Sequence, residues 1–279
     1  MMSAGPYTEA IIKAKSTFIA PHDNEAGDLC IPGQPGLTLS RETLSRHIIV
    51  SGDVGSGWPR VFMHSLLHIF SGIRDGNGDI AIVLDPGREY LNRFYGPLHT
   101  TVFCPGDERS EHPSFDPRDW MRERLSDGLL TNRVLLLSYD QAAQNGAQYA
   151  GMIDAMFDEI ERHQSAKRVW LIIPELEALE ISSLRDIMVR GRKYGLVVIG
   201  HVESVRQLEH VYGMEGVEAL EATSWTKIVF NPGDDFYSAN HWSKKLDMSV
   251  ETVMTLGVGE AFVLQTGVSK TTIGEINVV

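Results

Sequence analysis

Apolar residues in this chain gather in short continuous runs rather than in strict alternation. β-Branched residues are prominent in them: residues 47–52 (HIIVSG), 79–85 (DIAIVLD), 100–104 (TTVFC), 133–140 (RVLLLSYD), 168–173 (RVWLII), 195–202 (GLVVIGHV), 226–230 (TKIVF) and 260–267 (EAFVLQTG). Runs of this kind predict strands covered on both faces, as in a mostly parallel sheet. Between them, apolar residues recur at helical spacing over 60–73, 147–163, 184–194 and 205–223, the last broken into two helices at GMEGVEAL. Strands alternating with helices predict an α/β class with right-handed crossovers, a doubly wound sheet and helices on both faces. Residues 1–43, rich in Gly and Pro and with at most one short strand in GDLCIPGQPG, read as a lead-in laid over the domain. Residues 44–279 read as a single domain.

Composition narrows the functional classes. With 43% of its 279 residues hydrophobic, the chain can bury one large core. Its two cysteines, Cys30 and Cys104, lack CxxC spacing and point to neither a disulfide-built nor a zinc-built fold. No apolar run approaches the ~20 residues of a membrane-spanning helix, so the expected location is cytoplasmic, at the inner membrane only through partner proteins. A net charge of −12 opposes any broad attraction to nucleic acid. The densest basic cluster, Arg185, Arg190, Arg192 and Lys193, reads as a solvated helix face.

The segment HIIVSGDVGSGWPRVFMHSLLHIF is strand, Gly-rich turn and helix, the context in which a P-loop presents backbone N–H groups to phosphate. Where the pattern G-x-x-x-x-G-K-[ST] would run, the chain has Gly52, Gly55, Ser56, Gly57, Trp58 and Pro59. A Lys at the Trp58 position would neutralise phosphates, and a hydroxyl at the Pro59 position would hold Mg²⁺. Pro59 is compatible with the first turn of a helix, where its missing N–H would be unpaired anyway. Arg60, one residue late, points elsewhere.

From Leu29 to about Gln265 the chain resembles the nucleotide-binding domain of type IV secretion and conjugation coupling proteins. These are the TraD/TraG-like DNA-transfer ATPases related to the FtsK and HerA motors. The resemblance rests on LCIPG, SRHIIVSGDVGSG, the turn Asp85-Pro86-Gly87-Arg88-Glu89, TVFCPGDERSEHPSFDP, and most specifically the stretch from RVWLIIPELE to VYGMEGVEAL. That last stretch carries Gly191, Arg192, Lys193, Gly195, Gln207, Leu208, Tyr212 and Gly213. The resemblance implies a RecA-like P-loop NTPase fold without the helical insertion domain that many relatives carry.

It also implies where chemistry has gone missing. Pro174 stands where the family has the Asp of its Asp-Glu pair, leaving Glu175 as remnant, and Glu203 stands where a Gln senses the γ-phosphate. The Asn-Thr-Lys strand leading to a trans-acting Arg is matched by Trp225, Thr226 and Lys227, with Asn231 near the expected Arg. The implied function is a pseudo-ATPase that acts as a structural or recruiting subunit of a conjugation or secretion complex. No cofactor and no metal are expected, and the partners are protein components of that complex or further copies of the chain. The alternative is a divergent DNA-translocating ATPase using ATP and Mg²⁺ through Arg60 and Glu175; a nucleotide sensor is a third reading.

Other constellations carry less. His64 and His68 have metal-chelating spacing but no acidic third ligand, and Glu175, Glu177 and Glu180 read as an acidic helix start. Ser138-Tyr139-Asp140 ends a strand without a partner His. Trp225 and Trp242 stand beside Trp58 as the tryptophans of interest. Trp58, folded inward, would fill the space that a phosphate needs.

Overall fold

The structure is a computed structural model that describes residues 29–31, 37–39, 46–111, 114–126, 131–139, 146–165, 167–266 and 272–275. In chain order its elements are β1 (Leu29–Ile31), β2 (Leu37–Leu39), β3 (Ile48–Ser51), α1 (Trp58–Arg74), β4 (Ile80–Pro86), α2 (Glu89–Phe94), β5 (Thr100–Phe103), α3 (Pro117–Ser126) and β6 (Val134–Tyr139). They continue with α4 (Gly146–His163), β7 (Val169–Ile173), α5 (Leu184–Gly191), β8 (Leu196–Val202), α6 (Val205–Thr223), β9 (Thr226–Val229), α7 (Phe236–Leu246), α8 (Val250–Met254), β10 (Glu260–Gln265) and β11 (Thr272–Glu275).

Nine strands form one sheet in the order β11-β10-β9-β3-β8-β7-β4-β6-β5. The seven from β9 to β5 are parallel, and β10 and β11 add an antiparallel edge. Successive strand residues serve opposite faces, as the pleat requires. Ile49, Ile82, Leu84 and Leu171 pack under α3 to α8, whereas Val50, Ala81, Val83 and Ile172 pack under α1 and α2. Helices therefore cover both faces, and the fold is the RecA-like α/β arrangement expected from the strand runs.

Local chemistry sets several helix ends. Asp235 accepts from the backbone N–H groups of Tyr237 (3.0 Å) and Ser238 (3.1 Å) to start α7, and Ser249 accepts from Thr252 (3.1 Å) to start α8. Asp85, fully buried, accepts from the N–H groups of Tyr90 (2.9 Å) and Leu91 (2.8 Å) and from the Ser138 hydroxyl (2.7 Å). The turn after β4 is thus clamped to β6, while burial pushes the Asp85 carboxyl above its usual range.

The structure departs from expectation in places. The lead-in contains a second strand, β2, which pairs antiparallel with β1, and β1 lies beside α1; the rest of residues 1–43 is outside the described residues. The predicted 184–194 helix ends at Gly191 and tightens into a 3-10 turn over Arg192–Tyr194. The break expected in 205–223 is present: α6 is two helical segments joined at Gly213 (φ 71°, ψ 162°), the first residue of GMEGVEAL, in a backbone that glycine tolerates. Helices α2, α3, α7 and α8 and strand β11 add to the elements that the apolar pattern predicts.

Candidate functional site

In a parallel sheet of this kind ligands gather at the carboxyl ends of the strands, where the loops after β3, β4, β7, β8 and β9 converge. Asp53 starts a 3-10 turn over Val54–Ser56, and Gly57 (φ 98°) turns the chain into α1. Both flanking glycines are sterically required. A Cβ on Gly52 would stand 2.6 Å from the Phe230 Cβ, and one on Gly57 would stand 2.9 Å from the Gly259 nitrogen. The loop is a tight strand-to-helix turn, and several of its backbone donors are engaged within the protein. The N–H of Gly52 goes to Val202 (3.1 Å), that of Asp53 to Asn231 (3.0 Å) and that of Ser56 to Asp53 (2.9 Å), all to backbone carbonyls. The Ser56 hydroxyl donates to the Asp53 carbonyl at 2.6 Å, and the Gly55 N–H faces the Asp53 carboxylate at 3.5 Å.

Behind this loop lies an aromatic stack. The Trp58 indole, 8% exposed, lies on the imidazole of His201 with ring centroids 3.4 Å apart and planes 13° from parallel, and meets Phe62 edge-on at 5.5 Å. His201, at the end of β8, places Nδ1 2.9 Å from the Pro174 carbonyl and Nε2 2.9 Å from the Gly52 carbonyl. It thereby joins the ends of β7 and β3. Burial holds its pKa down to about 4, against the pull of those two carbonyls, so the ring is neutral and donates to one of them. The indole N–H of Trp58 is buried with no hydrogen-bond partner among the described residues. Stacking and shape, not hydrogen bonding, hold it there.

Residues 33–115 and 111–261 match the type IV secretion-system coupling protein DNA-binding domain family. The chain belongs to that family. No curated protein sequence matches it. Among solved structures, the bacterial conjugative coupling protein TrwB in complex with sulphate superposes with a TM-score of 0.66 at 17% identity, covering 86% of this chain and 87% of that one. TrwB in complex with the ATP analogue ADPNP gives 0.64 at 17% identity over 86% and 87% of the two chains. The genome packaging NTPase B204 from Sulfolobus turreted icosahedral virus 2, in complex with sulfate, gives 0.53 at 15% identity over 83% and 97%. At such identities the superpositions establish the shared fold.

Around this coupling-protein core the remaining candidate residues take distinct places. Glu175 is half-buried just past β7, and Glu203 is exposed. The residue that ties their loops together is Glu177: its Oε1 accepts from the N–H groups of Glu203 (2.7 Å) and Ser204 (3.2 Å). Burial pushes the Glu177 carboxyl upward. Glu180 is exposed.

Asn231 is a knot rather than a finger. Its amide nitrogen donates to the carbonyls of Met254 (2.9 Å) and Leu256 (2.8 Å), its amide oxygen accepts from Gly233 (2.9 Å), and its own carbonyl accepts from Asp53. Asn231→Ala is expected to cost ~2 kcal/mol by orphaning these groups. Hydrogen exchange should quicken at residues 233 and 254–256; unchanged exchange there would contradict the assignment.

Lys227 is buried, donates to the Ser224 carbonyl at 2.6 Å, and has its pKa lowered chiefly by burial. Trp242 donates to the Ser51 hydroxyl at 2.9 Å from a fully buried position, and Trp225 lies under the Arg46 guanidinium at 3.8 Å. His64 and His68 are half-buried on α1, and no group of three metal-ligating side chains occurs among the described residues. Ser138 serves Asp85; Asp140 lies outside the described residues. The four basic residues near α5 are exposed, with Arg190 paired to Glu161. Among the described residues no helix is long and apolar enough to cross a membrane.

The sequence does not single out His201 or the knot made by Asn231, and the acidic helix start expected at Glu175, Glu177 and Glu180 is instead a series of turns before α5, in which Glu177 ties two loops. The one usable signal was a histidine inside the otherwise apolar run GLVVIGHV, where a polar side chain must find partners.

Proposed function

We propose that this coupling-protein domain acts without nucleotide hydrolysis, as a structural or recruiting subunit of a conjugation or type IV secretion apparatus. The observation that carries the reading is the Trp58–His201 stack between the Gly52 and Pro174 carbonyls, at the place where the family resemblance calls for a phosphate-binding cation. The residues present do not fit a magnesium triphosphate. An indole replaces the ammonium, Pro59 offers no hydroxyl, Pro174 offers no carboxylate, and the N–H groups of Gly52, Asp53 and Ser56 are already bonded. Glu203 adds negative charge on the β8 side, where a phosphate would be repelled. Glu175 remains at the end of β7, but Trp58, Pro59 and Pro174 supply none of the groups that would position a phosphoryl group for it.

Because TrwB has been solved with ADPNP, and with ADP and Mg²⁺, the competing reading is a divergent DNA-translocating ATPase. The two readings separate on purified full chain by ATP turnover and by calorimetry with MgATP. Neither turnover above contaminant level nor a binding heat is expected, with or without DNA. The double variant Trp58→Lys/Pro59→Thr is likewise expected to stay silent, since Pro174, Glu203 and Asn231 still lack the other groups. Mg²⁺-dependent turnover by the wild-type chain would sink the proposal.

A further inference from the structure

Three loops meet at the carboxyl edge of the sheet beside the start of α1: 52–57, 231–236 and 254–260. Their contact is direct. Gly259 donates its N–H to the Ser56 carbonyl at 2.8 Å, and Asn231 binds the Met254 and Leu256 carbonyls. At Gly233 a Cβ would come within 3.0 Å of the Asp53 carboxyl carbon. Each loop, or the residue next to it, presents one large apolar side chain to solvent: Val54 (64% exposed), Phe236 (64%) and Val258 (69%). Large exposed apolar side chains grouped on touching loops suit contact with a partner better than solvation.

The charge around these side chains states what the partner must be. Asp53, Asp234 and Asp235 lie on the same loops, Glu260 accepts from Gly257 at 2.7 Å beside Val258, and Glu203 precedes Ser204, whose hydroxyl bonds Asp235 at 2.8 Å. None of these carboxylates enters an ion pair among the described residues. Arg60 stands in the first turn of α1, and the Arg206 guanidinium is taken up by the Tyr237 ring, 4.8 Å from its centroid. An apolar centre with an acidic rim complements a segment that carries apolar anchors flanked by Lys or Arg.

We propose that this rim is a docking surface for a basic amphipathic segment of a partner protein. The inference goes beyond the loss of nucleotide chemistry and does not depend on it.

The test uses two fluorescein-labelled synthetic helices of roughly 16 residues, identical in a Leu/Phe face and differing only in flanking Lys or Glu, titrated with the full chain by anisotropy. The Lys helix is expected to bind and to weaken by at least ~10-fold between low and high salt, while the Glu helix does not bind. The variant Val54→Ser/Phe236→Ser/Val258→Ser is expected to lose at least ~10-fold in affinity. Asp53→Asn/Asp234→Asn should flatten the salt dependence. Because the three apolar side chains are exposed, the triple variant should melt with wild type; the control Val189→Ser/Met214→Ser, on exposed side chains of α5 and α6, should bind as wild type. If the triple variant misfolds, the aspartate pair alone decides the question. Equal binding of both helices, no binding of either, or undiminished binding by the variants would overturn the proposal. So would a rim that instead mediates self-association in sedimentation, or that binds duplex DNA.

Discussion

Trp58→Ala should lower the free energy of unfolding by ~3 kcal/mol, the usual range for removing a buried aromatic ring. The indole buries roughly 200 Å², which at ~25 cal/mol per Å² stabilises the fold by about 5 kcal/mol before opposing terms. Its unpartnered N–H opposes this by about 1–3 kcal/mol. The balance leaves a side chain that is stabilising through its ring and not through its nitrogen. Trp58→Phe keeps a ring over His201 and removes the orphaned donor, so it should fall within ~1 kcal/mol of wild type. Trp58→Lys should be worse than Ala, because the ammonium would be buried against a neutral imidazole. Urea unfolding of the three variants checks the order Phe, Ala, Lys. If Lys proved as stable as wild type, the cleft would be an open cation site and the packing account would fail.

The second large effect is acid sensitivity. His47, immediately before β3, accepts the Val198 N–H at Nδ1 (3.0 Å), and its Nε2 lies 2.7 Å from the Met188 carbonyl. This pair of bonds is satisfied only by the neutral ring with its proton on Nε2. Burial holds its pKa down to about 4, with Arg192 adding to the effect and the Met188 carbonyl opposing it. In the unfolded chain the same ring takes up a proton as pH falls through 6.5. Between pH 6.5 and 4 the unfolded state therefore binds the extra proton, and stability falls with falling pH by about 1.4 kcal/mol per unit for each such histidine. His201 acts with the same sign over the same window.

Carboxylates with depressed pKa values, such as Asp107 under its Arg109 hydrogen bonds and Glu221 beside His241 and Lys245, add to acid unfolding only below their ordinary range. Asp85 and Glu177, pushed up by burial, act in the opposite direction. The comparison of wild type with His47→Asn isolates the histidine. Denaturant unfolding from pH 7 to 4.5 should show a steep decline in wild type and a slope shallower by about 1.4 kcal/mol per unit in the variant. Parallel slopes would remove His47 from the account.

Much of this molecule was legible from residues alone. The eight apolar runs each became a strand, because a run of β-branched residues too short for a buried helix packs best on a pleat covered from both sides. The glycines at 52 and 57 announced a strand-to-helix turn that side chains would obstruct. Helices α3 and α7 were hidden for a different reason. Their sequences, PRDWMRERLS and FYSANHWSKKL, place only a few apolar residues on one face, and each is anchored by single contacts that spacing does not display. Trp120 donates to Thr101 and Trp242 to Ser51, over separations of 19 and 191 residues.

The order of strands, helices and glycine turns determined the class of fold, since local backbone preference and the period of apolar residues act over a few neighbours. The tertiary structure alone decided that His201 joins β3 to β7, that Trp58 turns inward onto it, and that Glu177 rather than Glu175 ties the two loops together. These depend on which strand ends become neighbours. A buried polar group takes its partner from whatever the folded backbone brings within hydrogen-bond reach, and chain order carries no record of that distance.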